Sequence, residues 1–530
     1  MRPSLNTALE TVRLSLCIIN EHIWSQILEG ALMLTQMPTP DEVVLSRRDQ
    51  IVQDLVKMLG ADSVISQDGA LSPYACDALT MYTQKPLVAV LPKDTREVAQ
   101  ILDYANTQGI KVVPRGSGTS LSGGALPAAD AILLVMTRFN EILDIDFENQ
   151  FAIVQPGVTN LAVTRAIEED GYYYAPDPSS QIACSIGGNV AENSGGVHCL
   201  KYGLTTNNVL GIELVLMDGT ILRLGGGSAL DVPGFDLLGI LNGSEGLLGV
   251  VTEVTVRILP KPETARSVLV AFPTVAEGGA CVAQIIAQGI IPAGMEMMDK
   301  PAINAAEDYV HAGYPREAAA MLIIELDGTS QEVDTLLDEV SKIARDNGAS
   351  SIAVSQDEEE RQRHWAGRKN AFPAVGRISP DYICMDGTIP RKHLSDVLHG
   401  IDELAQKHGL GVANVFHAGD GNLHPLILFD ANKPGDLEKA EEFGRDILRL
   451  CVAVGGVLTG EHGVGVEKRD LMHEMFSDID LKQQQRVKCA FDPGQRLNPG
   501  KVFPVLHRCA ELGRLHVHRG QLPHPDLPRF

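Results

Sequence analysis

Two histidines seven positions apart are the first residues of this chain that could do chemistry. His417 and His424 stand at the ends of the segment HAGDGNLH. Strand-forming residues flank it, GVANVF before and PLILF after, whereas AGDGN is typical of a turn. This pattern predicts a hairpin with both imidazoles near its mouth, about 5 Å apart, a distance that one metal ion can bridge. Two solvated histidines on a surface hairpin are the alternative interpretation.

A second segment, GGVLTGEHGVG at 455–465, offers a third ligand and a base. Glu461 follows an apolar run and directly precedes His462. Two neutral imidazoles and one carboxylate leave a metal open to further ligands, and the set suits zinc, manganese or iron. Adjacent strand residues face opposite ways, so Glu461 could bind the metal while His462 approaches a substrate. The same residues also fit a metal-dependent hydrolase.

Three glycine-rich segments earlier in the chain predict a large cofactor. They are PRGSGTSLSGGALP at 114–127, PDPSSQIACSIGGNVAENSGG at 176–196 and GSEGLLGVV at 243–251. Backbone N–H groups without neighbouring Cβ atoms can converge on phosphate oxygens. Leu121 stands where the dinucleotide fingerprint GxGxxG needs a glycine, so a Rossmann NAD site is not predicted. Structural turns without a ligand are the alternative.

Composition narrows the classes of function. The chain has 530 residues and a net charge of -24, from 44 basic and 68 acidic residues, which argues against nucleic-acid partners and anionic membrane surfaces. Its nine cysteines include no CxxC pair, so we expect a reducing compartment and no iron–sulfur cluster. No apolar run approaches the ~18 to 20 residues of a membrane span. We therefore expect a cytoplasmic protein that reaches a membrane only through partners.

These segments together resemble FAD-binding oxidoreductases of the vanillyl-alcohol oxidase type. The likeness continues through WAGRKNAFPAVGRISPDY, TGEHGVGVEK and LNPGK and covers nearly everything from about residue 46. Within that family the pattern is most similar to FAD-linked subunits of glycolate oxidases and to D-lactate and D-2-hydroxyglutarate dehydrogenases. The resemblance implies an α+β fold with a two-subdomain PCMH-type FAD-binding domain at 46–262 and a ferredoxin-like substrate cap at 263–504. An N-terminal extension at 1–45 and a tail at 505–530 would flank them.

The resemblance also implies which residues contact FAD. The loop from Arg115 to Ser120 would cradle the pyrophosphate, and because no histidine stands in it, FAD would be bound without a covalent link. The expected contacts are Pro114, Arg115, Gly116, Ser117, Gly118, Thr119, Ser120, Gly123, Gly124, Pro178, Ser179, Gly187, Gly188, Asn189, Asn193, Gly195, Gly196, Glu245, Gly246, Gly249, Val250 and Asn498.

The activity that the resemblance implies is FAD-dependent oxidation of a small (R)-2-hydroxy acid, foremost glycolate to glyoxylate and also D-lactate to pyruvate. A metal on His417, His424 and Glu461 would acidify the substrate hydroxyl, and His462 would take its proton while the α-hydrogen passes to the flavin. Asn422 and Arg368 complete the expected catalytic set.

The substrate carboxylate needs a cation. Arg368 is the expected clamp, with Arg377 as a weaker alternative, because a guanidinium holds a carboxylate bidentately. Relatives that oxidise 2-hydroxyglutarate carry a lysine where this chain has Cys384. We therefore expect a small monocarboxylate substrate.

Electrons must leave this chain, which has no iron–sulfur ligands of its own. The resemblance implies a complex with an FAD-domain subunit and an iron–sulfur subunit at the inner face of the cell membrane. A D-lactate dehydrogenase acting alone, the hydrolase, and an FAD-binding scaffold without turnover are the alternatives.

An amphipathic helix is expected near residues 9–27, and the histidine-rich tail from His507 could dock a partner or lie passively on the surface.

Overall fold

The computed structural model describes residues 37–226 and 234–504. The expected helix near residues 9–27 and the tail at 505–530 lie outside them. Helix α1 (Glu42–Ser46) already packs into the first domain, since Val44 is buried in its core and the Asp41 amide donates to Asp130. The first domain therefore begins before residue 46. No described helix combines the length and hydrophobicity of a membrane span.

The first sheet carries the first glycine-rich loop. The strands β1 (Val64–Ile65), β2 (Val88–Val90), β3 (Lys111–Arg115) and β4 (Ala131–Val135) lie in the order β1-β2-β4-β3. Helix α4 (Thr95–Gln108) follows helices α2 (Arg48–Leu59) and α3 (Asp68–Leu71); Asp94 caps it and Gly109, at φ 72°, ends it. This strand–helix–strand unit delivers the loop at the end of β3.

A second, antiparallel sheet carries the other two glycine-rich segments. Its strands β5 (Ile142–Asp146), β6 (Phe151–Val154), β8 (Val209–Val215), β9 (Ile221–Gly225) and β10 (Val250–Arg257) lie in the order β5-β6-β10-β8-β9. Strands β7 (Tyr172–Tyr173) and β11 (Leu259–Pro260) pair separately. The helices are α5 (Asn160–Ile167), α6 (Ile186–Glu192), α7 (Cys199–Tyr202), α8 (Thr205–Asn208) and α9 (Leu237–Leu241). The second glycine-rich segment forms α6 and the turns around it.

The cap contains a seven-stranded antiparallel sheet. Its strands are β12 (Thr264–Phe272), β13 (Gly294–Asp299), β14 (Ala320–Gly328), β15 (Ser351–Val354), β16 (Asp381–Cys384), β18 (Gly411–Phe416) and β20 (Pro425–Phe429), in the order β15-β12-β14-β13-β18-β20-β16. The short strands β17 (Gly387–Thr388) and β19 (Asn422–Leu423) form a separate pair. The α+β class is thereby confirmed.

Helices cover both faces of the cap sheet, and separate clusters of apolar side chains fill the two faces. One face packs against α10 (Val275–Ala287), α12 (Ser330–Asp346), α15 (Leu394–His408) and α16 (Asp436–Ala453). The other packs against α11 (Lys300–Val310), α13 (Glu358–Lys369) and α14 (Ala371–Val375). Burial on both faces explains the continuous apolar run of β14, AMLIIEL. A carboxylate in such a strand must find buried partners.

The end of the described chain returns to the first domain. After α17 (Met472–Met475) and α18 (Asp478–Phe491), Leu497 bridges Val112 of β3 and is fully buried among residues of the first sheet. Asn498 donates to the carbonyls of Gly124 and Glu245. The Lys501 ammonium donates to the Gly124 carbonyl as well. This last segment thus connects the first and third glycine-rich segments by hydrogen bonds to the carbonyls of Gly124 and Glu245.

A buried polar network connects the two domains. His198, at the start of α7, contacts Asp177 through Nδ1 at 2.8 Å and Glu325 of β14 through Nε2 at 3.1 Å. Arg361 and Trp365 of α13 both donate to the other oxygen of Glu325. Burial raises the pKa of Glu325, but His198 and Arg361 outweigh it and lower that pKa to about 2.

We predict that Glu325→Gln lowers the free energy of unfolding at pH 7 by about 3 kcal/mol. The pKa of Glu325 is about 2 in the folded protein and ordinarily 4.5. Its contribution is therefore complete above about pH 4.5 and is lost as the pH falls towards 2. Urea unfolding from pH 7 to pH 3 measures the difference between wild type and variant.

Glu339→Gln, on the exposed face of α12, is the matched control and should leave stability within about 0.5 kcal/mol of wild type at every pH. If the difference in the free energy of unfolding between wild type and Glu325→Gln does not shrink as the pH falls, the prediction is wrong.

Candidate active site

The HAGDGNLH segment folds as the predicted hairpin. Strands β18 and β20 pair antiparallel on either side of it, and His417 bridges Asn422 across the turn. The centroids of the two imidazole rings lie 5.1 Å apart, and both side chains are buried. The interpretation as solvated surface histidines is therefore wrong.

Glu461 and His462 lie in a loop rather than on a strand, so the strand argument for their opposite directions is wrong. Asp386, fully buried, holds this loop. Its carboxylate accepts hydrogen bonds from the backbone amides of Gly460 and His462 at 3.1 and 2.9 Å and from the Thr459 hydroxyl. The Lys468 ammonium lies 3.2 Å from the same carboxylate. Both side chains of this loop lie beside His424: the Glu461 carboxylate contacts the imidazoles of His417 and His424, and the His462 ring stacks on His424.

Glu461 joins the two hairpin histidines into one cluster. Its Oε1 lies 3.1 Å from Nε2 of His417 and 3.2 Å from Nε2 of His424. One ligand atom from each of the three residues falls within 4.8 Å of the others. The Nε2 atom of His424 is buried and has no hydrogen-bond partner among the described residues. Two imidazoles and a carboxylate that converge in this way could hold a divalent cation.

Glu296 of β13 orients His417 from behind. Its Oε1 lies 2.7 Å from Nδ1 of His417, and its Oε2 accepts from Nε of Arg368 at 2.8 Å. Burial lowers the pKa of His417, but Glu296 and Glu461 outweigh it and raise that pKa to about 10. A carboxylate on the far nitrogen of a histidine is the usual outer partner of a metal-binding imidazole.

His462 stands beside this cluster. Its ring stacks on that of His424, with centroids 4.8 Å apart and planes 9° from parallel. Burial lowers the pKa of His462 to about 4, against the opposing charge of Asp386, so the imidazole is neutral near pH 7. Asp386, His424 and His462 also lie close enough to share an ion, but Lys468 already neutralises Asp386.

The larger cavity within the described residues connects the glycine-rich loops with the histidine cluster. It has a volume of about 450 Å³. The predicted contacts that line it are Pro114, Arg115, Gly116, Ser117, Gly118, Thr119, Ser120, Gly124, Pro178, Ser179, Gly187, Gly188, Asn189, Glu245, Gly246, Gly249 and Val250. Its other wall is formed by Lys369, Phe372, His424, Glu461 and His462. The cavity thus joins most of the expected cofactor contacts to His462 and to two of the three expected metal ligands, His424 and Glu461.

The groups along this cavity fit FAD. The backbone N–H groups from Gly116 to Ser120 donate to no acceptor among the described residues, which leaves them for phosphate oxygens. Gly118 adopts φ 75°, and a Cβ there would overlap the Arg115 guanidinium. Glu192 also lines the cavity, and its buried Oε2 has no hydrogen-bond partner in the part of the chain that the structure describes. Burial and the neighbouring Glu245 raise the pKa of Glu192 well above its ordinary value.

The remaining predicted contacts do not line this cavity. Asn498 lies behind its wall, where it ties Gly124 to Glu245, and Gly123 packs against Val466. Asn193 ends α6 in a left-handed conformation. Gly195 and Gly196 line a second cavity instead.

The predicted substrate residues differ in their surroundings. Arg368 is 1% exposed and is ion-paired with Glu296, while its terminal nitrogens donate to no described residue. Arg377 is exposed, and Cys384 is buried. Asn422 is 6% exposed and lines the second cavity.

Sequence reasoning missed several residues of the site. No sequence pattern marks Asp386, because its role depends on hydrogen bonds to a loop 75 residues away in the chain. Glu296 could have been recognised as a candidate, because it is a carboxylate inside the apolar strand GMEMMD. Lys369 lines the larger cavity beside Phe372. The sequence pattern favoured its neighbour Arg368 as the cation of the site.

Comparison with known proteins identifies the family. The FAD binding domain model matches residues 86–225, and the model for the C-terminal domain of FAD linked oxidases matches residues 261–502. Glycolate oxidase subunit GlcD of Escherichia coli strain K12 is 56% identical over 483 residues, 91% of this chain and 97% of that protein. This chain belongs to the FAD-linked oxidases. It is an FAD-dependent oxidoreductase, as the sequence predicts.

Other FAD-linked oxidases extend the comparison. Glycolate oxidase subunit GlcD of Bacillus subtilis is 38% identical over 86% of this chain and 96% of that protein. A D-lactate dehydrogenase of Archaeoglobus fulgidus is 33% identical over 79% and 92%. Among solved structures, 4-ethylphenol oxidase from Gulosibacter chungangensis aligns with a TM-score of 0.75 at 18% identity, over 89% of this chain and 100% of that one. The structural likeness confirms the predicted flavoprotein fold.

We predict that Gly118→Ala reduces FAD affinity at least about tenfold, which corresponds to about 1.4 kcal/mol. The variant adds both a left-handed alanine and an overlap with Arg115 inside the cradle. FAD content per purified chain, from the visible absorbance, measures the effect.

Gly109→Ala is the matched control, because Gly109 has a similar φ of 72° but nothing within 4 Å of the added Cβ. It should lose about 1 kcal/mol of stability and keep its FAD. Equal FAD retention by the two variants would contradict the assignment of the cradle.

Proposed function

We propose that this FAD-linked oxidase converts a small (R)-2-hydroxy acid, foremost glycolate, to the 2-oxo acid. The observation that carries the proposal is the convergence of His417, His424 and Glu461 beside the cavity that fits FAD. His424 and Glu461 belong to the wall of that cavity, and so does His462, which stacks on His424. Relatives named for glycolate oxidase support glycolate, and those named for D-lactate dehydrogenase support D-lactate as a second substrate.

Bound FAD supplies the two-electron acceptor, and a divalent cation on the three-residue cluster supplies charge that acidifies the substrate hydroxyl. The cation is zinc, manganese or iron in this proposal. Glu296 fixes the orientation of His417, and Asp386 fixes the loop that carries Glu461 and His462. The neutral imidazole of His462 accepts the hydroxyl proton. Buried walls around these groups exclude water from the reaction.

Two cations are candidates for the substrate carboxylate. Arg368 lines neither cavity, but it remains our candidate clamp, because only its Nε pairs with Glu296 and its terminal nitrogens donate to no described residue. Lys369 lines the larger cavity and is the second candidate. Cys384 supplies no charge for a second carboxylate, which favours a monocarboxylate substrate.

The protein acts as a subunit of an oxidase complex in this proposal, in keeping with the names of its GlcD relatives. An FAD-domain subunit and an iron–sulfur subunit accept its electrons at the inner face of the cell membrane. A reducing, cytoplasmic location is supported by the thiols at Cys76, Cys184, Cys199, Cys281, Cys384, Cys451 and Cys489, all of which are free.

We predict that glycolate added anaerobically bleaches the visible flavin absorbance of the purified protein, and that His462→Asn slows this bleaching about 10²- to 10⁴-fold, because the base is lost. Stopped-flow absorbance measures the rate. His399→Asn, on an exposed face of α15, is the control and should bleach at the wild-type rate.

A protein that holds FAD but is bleached by neither glycolate nor D-lactate would sink the proposal and favour a scaffold. Equal bleaching by 2-hydroxyglutarate and glycolate would refute the monocarboxylate preference.

We predict that a chelator removes one divalent cation per chain together with the activity, while FAD stays bound. Glu461→Gln should weaken metal binding by more than about 100-fold, beyond the usual cost of losing an outer partner. Elemental analysis beside FAD quantification measures both. Glu442→Gln, exposed on α16, should match wild type; full activity in metal-free protein would refute the metal centre.

A further inference from the structure

A second cavity meets the metal-ligand cluster from another direction. It has a volume of about 280 Å³ and lies between the hairpin and helices α7 and α8. His417 and Glu461 form its inner end, and both are largely buried. Asn207 is exposed and Leu204 is half-buried at its outer end. The cavity therefore leads from the protein surface to two of the three proposed ligands.

Unpartnered oxygen atoms line this passage. Asn422 is only 6% exposed, and its Oδ1 has no hydrogen-bond partner among the described residues. The buried hydroxyl of Thr388 has none either. The carboxylate of Asp420 adds a charge, and it too accepts no hydrogen bond from a described residue. No lysine or arginine belongs to the lining. Carboxylate, amide and hydroxyl oxygens attract hydrated divalent cations.

The two cavities have different walls. Among the three expected metal ligands and the base, His424 and His462 line only the larger cavity. His417 lines only the second cavity, and Glu461 lines both. FAD together with the substrate would occupy the larger cavity in the holoprotein, so that side of the cluster would be covered. The second cavity then remains as the approach to His417 and Glu461.

We propose that the second cavity is the route by which the divalent cation reaches its ligands in the FAD-loaded protein, an inference that rests on the proposed metal centre. The Asp420 carboxylate attracts the hydrated cation into the cavity. Asn422 and Thr388 offer further oxygens, and the cation then exchanges its water for His417 and Glu461. This assigns a role to the Asp of HAGDGNLH that the reaction itself does not use.

Zinc uptake by metal-free, FAD-loaded protein tests the role of Asp420. A fluorescent zinc indicator follows the rate at low ionic strength, and elemental analysis gives the final content. Asp420→Asn should load about tenfold more slowly yet reach the wild-type content, and the difference should shrink in high salt because charge steering is screened. Asp334→Asn, exposed on α12, removes the same charge elsewhere and should load at the wild-type rate.

A blocking variant tests the passage itself. Leu204→Trp should slow both zinc uptake and zinc release to a chelator about tenfold without changing the final content. Removal of FAD should restore fast uptake in this variant, because the larger cavity is then open. Circular dichroism and FAD content establish that each variant is folded.

Wild-type uptake rates in both Asp420→Asn and Leu204→Trp would overturn the route. Wild-type protein that binds no stoichiometric zinc, manganese or iron would refute the metal centre itself, and so the two failures are distinguishable.

Discussion

The site depends on one buried carboxylate. Asp386 is fully buried, and a charge in that position is stable only when donors surround it. Burial raises the pKa of Asp386, but the Lys468 ammonium and the neighbouring His424 lower it well below its ordinary value. Its donors are the backbone of the loop that carries Glu461 and His462. One ionised side chain therefore sets where the third ligand and the base stand.

Glu461 connects this loop to the other domain. While Oε1 faces the two imidazoles, Oε2 accepts from the Gly195 amide of the FAD-binding domain at 3.0 Å. A Cβ at Gly195 would lie 2.5 Å from that oxygen, so a side chain there would push the carboxylate away. The network of His198 and Glu325 holds the same two domains together nearby. The FAD-binding domain thus helps to hold the Glu461 carboxylate against the two imidazoles.

Local sequence patterns predicted the parts of the site that local structure builds. The hairpin of His417 and His424 follows from flanking strand formers and a glycine turn, and the cradle follows from glycines after β3. Asp386 and Glu296 could not be predicted in the same way, because each is defined by a partner more than 70 residues away. For Asn498, the motif LNPGK predicted a contact with FAD. The fold instead places its amide on the carbonyls of Gly124 and Glu245, behind the cavity wall.

The return of the chain to its first domain has a consequence for biosynthesis. Leu497 fills the core beside Val112, and Lys501 binds the carbonyl of Gly124, so the wall of the cradle includes residues from both ends of the described chain. On the ribosome, the first sheet emerges long before the segment that completes it. Domains usually fold as they emerge, from the N-terminus onwards. In this protein the cofactor cradle is complete only after the segment around Leu497 and Lys501 has left the ribosome, so the finished cradle is available to FAD no earlier than that.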